Sequence, residues 1–169
     1  MKRIVAWSVL LIMGQLGNTL PAQSQDTIAK QFAGMWREVS TQQRLADGTT
    51  RQSSNNVAYV VFDTDAGHMC YLSMSPDRPQ WKSANPPTAE EALSALKGFS
   101  AYCANVEIHA KEGFIVRRYE IHDNPNEVGR ATKRWYTFQG TNRMSLRIDS
   151  NELKPPIVES TLNWERVVK

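Results

Sequence analysis

The sequence is poor in the features that usually announce a chemistry. It holds only two cysteines, Cys70 and Cys103, and three histidines, His68, His109 and His122. No two of the histidines stand at the short spacing of a metal-ligand pair and no CxxC occurs, so no metal site is expected. There is no Gly-x-Ser-x-Gly elbow, no phosphate loop and no dinucleotide fingerprint, so nothing calls for a cofactor. Paired carboxylates are equally scarce. Glu90-Glu91 falls at a helix start, where it offsets the helix dipole. Beyond the N-terminal segment, no apolar run approaches the roughly 20 residues of a membrane span.

An excess of charge of one sign is also missing. The formal net charge is +3, and two of the contributing cations, Lys2 and Arg3, precede an apolar stretch from Ile4 to Met13 and then Leu20-Pro21-Ala22. That order reads as a secretory signal peptide over 1–22. Cleavage after Ala22 removes both cations and no acid, which takes the charge of 23–169 from +3 to +1. A nearly neutral chain without a basic run gives no electrostatic reason to expect nucleic acid as a partner. No cysteine stands near the cleavage point, so neither a lipoprotein anchor nor another membrane anchor is indicated. The expected location is periplasmic or secreted, and the remaining length suits one domain with one core.

Export would let a disulfide persist. Both cysteines nevertheless read as early residues of successive strands, and an antiparallel pair sets the start of one strand against the end of the next. A bridge needs Cα atoms within about 7 Å. The expectation is therefore two free, packed thiols.

What the sequence does contain is strand and turn. Asp26 to Phe32 suits a short helix ended by Gly34, and Met35 to Val39 a first strand. Val57 to Asp63 and His68 to Met74 form a hairpin across Asp63-Thr-Asp-Ala-Gly67. Ser75 to Pro87 carries four prolines and reads as a loop. Thr88-Ala-Glu-Glu91 is a capping box, and Ala92, Leu93, Leu96 and Phe99 make one apolar helix face. Strands then follow at Cys103–His109, Phe114–His122, Ala131–Gln139, Arg143–Asp149 and Ile157–Val167, with short links at Lys111-Glu112-Gly113 and Gly140-Thr141-Asn142. Eight strands with short connections favour an up-and-down antiparallel sheet closed on itself.

Phe32-Ala-Gly-Met-Trp36-Arg-Glu-Val-Ser40, Val61-Phe-Asp-Thr-Asp-Ala-Gly67-His-Met69, Pro76-Asp-Arg-Pro79, Ala101-Tyr102, Pro125 with Gly129, Arg134 and the closing Leu162-Asn-Trp164-Glu-Arg166-Val167 resemble the bacterial and fungal lipocalin-like domain family over roughly 32–168. The resemblance implies an all-β, eight-stranded lipocalin-like (calycin-type) barrel with an internal cavity, here with one inserted helix and a short N-terminal helix. Most members of that family lack an assigned activity, while calycin-type barrels can host isomerases and cyclases. The resemblance also implies a structural clasp, Trp36 on the first strand packed under Arg166 from the last.

Within such a barrel, Arg134, Tyr136 and Phe138 share one strand face. Arg134 is then a cavity anchor for an anionic ligand group, or is paired with a structural acid such as Glu120 or Asp63, or points at solvent from a strand end. Arg117 shares a face with Ile115, Tyr119 and Ile121, and Arg118 shares the opposite one with Phe114, Val116 and Glu120; alternation does not say which is inside. His68 follows a turn glycine, as a turn residue or as an acid or base at a pocket mouth. Pro76-Asp77-Arg78-Pro79 stiffens the rim, or Arg78 and Trp81 meet an entering ligand there. The candidate ligand-binding residues are thus Arg134, Tyr136, Arg117, Tyr119, Arg78, Trp81 and His68, with no catalytic residue identified. The leading reading is an exported container for a small, partly apolar molecule, anionic if an interior arginine anchors it. The alternative is a cofactor-independent isomerase, cyclase or hydrolase working in the same cavity. Oligomeric state is not legible.

Overall fold

The computed structural model describes residues 24–52, 56–82 and 86–168. The expected signal peptide, 1–22, lies outside the described residues. Helix α1 (Gln25–Phe32) starts where the Ser24 hydroxyl accepts the Thr27 amide, and it buries Ile28 and Phe32 on one face. Gly34 then turns the chain with φ +103°, a conformation that favours glycine, and strand β1 (Gly34–Leu45) begins. The remaining elements are β2 (Thr50–Gln52), β3 (Val57–Asp63), β4 (His68–Met74), α2 (Ala89–Lys97), β5 (Phe99–His109), β6 (Phe114–His122), β7 (Ala131–Gln139), β8 (Arg143–Ile148) and β9 (Ile157–Arg166).

Each strand from β3 onward pairs antiparallel with the next, β1 pairs with β3, and β9 returns to β1 through a ladder from Trp36↔Arg166 to Leu45↔Ile157. Eight strands therefore close an antiparallel barrel that satisfies its own edges, as expected for a lipocalin-like all-β fold. Strand β2, absent from the expectation, pairs only with Gln42–Arg44 of β1 as a short hairpin arm outside that closure. Its Thr-Arg-Gln is wholly exposed and carries no strand pattern. The first strand also runs past Val39 to Leu45, because β9 supplies a partner ladder to the polar run Ser40–Arg44.

The cysteine expectation is corrected. Strand β5 begins at Phe99, directly after α2, so Cys103 sits well inside the strand rather than at its start. The β4–β5 register then sets Cys70 directly opposite Cys103. Their Cα atoms are 4.1 Å apart and the two form a disulfide. Helix order and register, not the antiparallel rule itself, made the difference.

One end of the barrel is plugged. Phe32 at the close of α1 meets the rings of Phe62, Tyr136 and Phe138 at centroid distances of 4.9 to 5.0 Å. The Trp36 indole donates to the Phe32 carbonyl at 2.8 Å, and the Arg166 guanidinium lies 4.1 Å from the centre of the Trp36 ring. Arg166 also donates to the carbonyls of Gln31, Ala33 and Thr141. Through Gln31 and Ala33 it serves carbonyl groups that the end of α1 leaves without helical partners. At the opposite end, Thr88 and Glu91 form the reciprocal capping box of α2, and a second Glu91 oxygen accepts the Lys82 amide at 2.6 Å. The apolar face of α2 does not reach the core, since Leu93 and Leu96 stay exposed.

Candidate functional site

The phase of β6 decides which arginine enters the barrel. Ile115, Arg117 and Tyr119 are buried, whereas Arg118 points outward and donates to the Gly129 carbonyl at 3.2 Å. Alternation then breaks. Ala104 pairs with Tyr119 while Cys103 pairs with Ile121, so Glu120 is an extra residue on β6. Such a bulge reverses the faces beyond it. Ile121, expected on the Arg117 face, is 66% exposed. His122 swings inward instead and stacks on Tyr102, with ring centres 5.4 Å apart.

Between the plug and the opposite end lies a cavity of about 200 Å³. Tyr71, Tyr102 and Trp164 supply its aromatic wall, with Val60, Met69, Leu146, Ile148 and Leu162 as its aliphatic one. Its polar lining consists of Arg117, Arg134 and the tyrosine hydroxyls. Tyr71 and Tyr102 stack at 4.9 Å, and Tyr71 meets Trp164 edge to face at 6.2 Å.

Arg117 is 4% exposed. Its Nη1 donates to the Tyr102 hydroxyl at 2.6 Å, and its Nη2 to the Tyr119 hydroxyl at 3.1 Å and to Thr132 Oγ1 at 3.0 Å. Thr132 Oγ1 in turn donates to Tyr119 at 3.2 Å. Among the described residues, the Arg117 Nε–H has no partner. Burial works against the charge of Arg117, but Tyr102, Tyr119 and Glu152 outweigh it and hold the guanidinium above its ordinary range. A phenol is uncharged at neutral pH, so the full negative charge among those three is that of Glu152. Burial pushes the Tyr71 phenol up to about 12, against a smaller opposing hydrogen bond with Ser73. Tyr102 is raised chiefly by burial as well. Both remain proton donors at neutral pH.

Arg134 enters from β7 and is already engaged. Its Nη1 lies 2.8 Å from each carboxylate oxygen of Glu152, in a short 3-10 turn at Ser150–Glu152, and 2.6 Å from the Lys133 carbonyl. The same carboxylate accepts the Lys133 amide at 3.0 Å. The β7–β8 ladder stops at Arg134↔Ile148, so Glu152 takes the place that β8 leaves vacant beside Lys133. Burial and the neighbouring Arg117 both lower the pKa of Arg134, with Glu152 opposing them.

The other candidates lie apart from this cluster. Tyr136 belongs to the plug, against Phe32, and its hydroxyl reaches the Ala110 carbonyl at 3.4 Å. Arg78 lies over the Phe99 ring at 5.7 Å and packs so closely on Gly98 that a Cβ there would fall 2.6 Å from its Cγ. Trp81 is exposed beside Pro79, Lys82 and Glu91 on the surface. His68 faces outward, with Nδ1 2.7 Å from the Ala66 carbonyl and Nε2 3.3 Å from Glu120. Sequence reading did not place Tyr71, Tyr102, Thr132, Trp164 or Glu152 among the ligand-binding candidates, although Tyr102 and Trp164 stand in the motifs that carry the family resemblance. Alternation along β4 and β5 could have paired Tyr71 with Tyr102, but nothing local marks the return of Glu152 to β7. Among the described residues there is no cluster of potential metal ligands.

No curated protein matches the chain. A family model described as a lipocalin-like domain matches residues 33–167. That match spans both ends of the closed barrel, from the Trp36 side of the clasp to Arg166, and includes every residue lining the cavity. The chain belongs to the lipocalin-like domain family.

Proposed function

We propose that this protein is an exported container that binds a small, partly apolar, anionic molecule in its barrel cavity, with Arg117 as the charged anchor. The carrying observation is that a guanidinium buried in an aromatic-lined cavity has hydroxyls, not a carboxylate, as its hydrogen-bond partners. Glu152, the carboxylate that offsets the charge of Arg117, is already bound to Arg134 and the Lys133 amide, so two interior guanidiniums share one carboxylate, and an anionic ligand would supply the second negative charge. Arg134 plays a supporting part, since Glu152 already holds it. The Cys70–Cys103 disulfide supports export, because such bonds persist in oxidising compartments. Turnover would additionally require a positioned acid and base. Among the described residues, those lining the cavity offer phenols and guanidiniums but neither a carboxylate nor an imidazole, which favours binding over catalysis.

Native mass spectrometry of protein purified from its own host tests the reading directly, with Arg117→Met and Arg134→Met alongside the wild type. A co-purifying small acid should be retained by wild type and lost from folded Arg117→Met. Equal retention by folded Arg117→Met would overturn the anchor.

A further inference from the structure

The outer surface of the barrel is apolar across β3, β4 and β5 and polar on the far side. There the outward positions of β8 are Arg143, Ser145 and Arg147, the alternation expected of an antiparallel sheet with one face in water. Strand β3 instead runs Val57-Ala-Tyr-Val-Val-Phe62, apolar at inward and outward positions alike. Continuous runs of this kind mark strands that are covered on both faces. The registers assemble the outward side chains into rows. Met35, Val61, Cys70, Cys103 and Ile121 stand side by side in one. Tyr59, Leu72 and Ala101 form the next, and Val57, Met74 and Phe99 the third. No charged residue interrupts the three rows.

Seven large side chains in these rows stay exposed, from Tyr59 and Phe99 at 36% to Ile121 at 66%. At roughly 200 Å² for a large side chain, they present about 600 Å² of apolar surface, the upper end of what a monomer ordinarily leaves in water. Each half of a standard interface takes about 800 Å², of which about 65%, or about 500 Å², is apolar in homodimers. The face is therefore large enough to form one such half. Charge at its margins selects the occupant. Arg37 stands on the β1 edge beside Tyr59, and Glu120 stands exposed on the β6 edge near His68. A lipid surface favours basic flanks, whereas Asp63 and Glu120 border this face with carboxylates. We infer that two copies of this chain pack together through the β3–β4–β5 face, about a two-fold axis running along the strands. That axis sets the β1 edge of each copy against the β6 edge of the other. Arg37 and Glu120 then give the two margins opposite charges around an apolar centre, and the Cys70–Cys103 disulfide lies covered within it.

Sedimentation equilibrium on protein purified from its own host is the test. Wild type should be a dimer that dissociates with a Kd of about 10 μM or lower. Leu72→Lys, in the middle row, should weaken it about tenfold or more, the scale of a residue that carries binding energy. Ile121→Lys should act in the same direction, and because that side chain is the most exposed of the face it keeps the test open if Leu72→Lys does not fold. Val158→Lys, also at an exposed apolar residue but on β9, should leave the dimer unchanged. A wild type that stays monomeric at about 100 μM would overturn the inference. So would a dimer that the folded variants at Leu72 and Ile121 leave intact, or one that Val158→Lys dissociates. Cosedimentation of a wild-type monomer with phosphatidylcholine vesicles, lost in Leu72→Lys, would overturn it in favour of a lipid surface.

Discussion

Glu152 holds Arg134 from outside the closed ladder, with Nη1 2.8 Å from both carboxylate oxygens, while also accepting the Lys133 amide that β8 does not reach. One side chain thus completes the sheet and compensates an interior cation. Both partners are only 12% exposed, so the pair is shielded from solvent on both sides. Removing one partner of a buried pair strands the other, at about 3 to 5 kcal/mol. Arg134→Met and Glu152→Gln should each lower the denaturant midpoint by a corresponding amount, and the double variant should cost less than the two singles together. Strict additivity would show that the two side chains act independently.

The disulfide closes a loop with a sequence separation of 33 between Cys70 and Cys103. On the chain-entropy account a loop of this size contributes about 3 to 4 kcal/mol. Intact mass under non-reducing denaturation should show the two-hydrogen deficit of a bridge, with no thiol open to alkylation. Cys70→Ala/Cys103→Ala should fold with a lowered midpoint. Two alkylated thiols in protein prepared under oxidising conditions would contradict the Cys70–Cys103 bridge.

Trp36 and Arg166 share a face-on contact at the plugged end. Such contacts contribute about 0.5 to 2 kcal/mol according to burial. Trp36→Ala should be the costlier single change, since it also empties a fully buried aromatic site. The Trp36→Ala/Arg166→Ala pair should fall short of the sum of the singles. Additive losses in urea melts would reduce Arg166 to its carbonyl contacts with Gln31, Ala33 and Thr141.

Alkaline pH should destabilise the barrel through its phenols. The Tyr71 pKa stands near 12 in the fold against 10 for a free tyrosine, so the unfolded chain loses this proton first as pH rises. The stability tied to the neutral phenol is complete below pH 10 and disappears progressively between about 10 and 12. Its full loss is roughly 2 to 3 kcal/mol, and Tyr102 acts in the same direction. Tyr71→Phe should therefore retain more of its stability than wild type between pH 10 and 11.5, as read from unfolding midpoints. Identical pH dependence in the two proteins would show that Tyr71 ionises as easily in the fold as in the unfolded chain.

The alternating runs of β3, β4, β6 and β7 and the Thr88–Glu91 capping box were legible in the sequence to their end residues. They rest on local rules: period-two side chains, β-branched residues and a hydroxyl three residues before a carboxylate. Their order and short links, with the motifs from Trp36 to Arg166, also pointed to the closed lipocalin-like barrel. The same rules put Arg134 on one face with Tyr136 and Phe138 and set Arg117 against Arg118 without choosing between them. Three things were decided only by the tertiary structure. Register across β4 and β5 joined the cysteines, because pairing depends on where β5 starts after α2. The extra residue at Glu120 turned His122 in and Ile121 out, since one inserted residue reverses every later side chain on a strand. Glu152 reached Arg134 from a turn beyond β8, although nothing near either residue marks the other as its partner. Local chemistry sets which residues can face a cavity; how the charges within it are compensated depends on contacts between segments far apart in the chain, and those exist only once the barrel has closed.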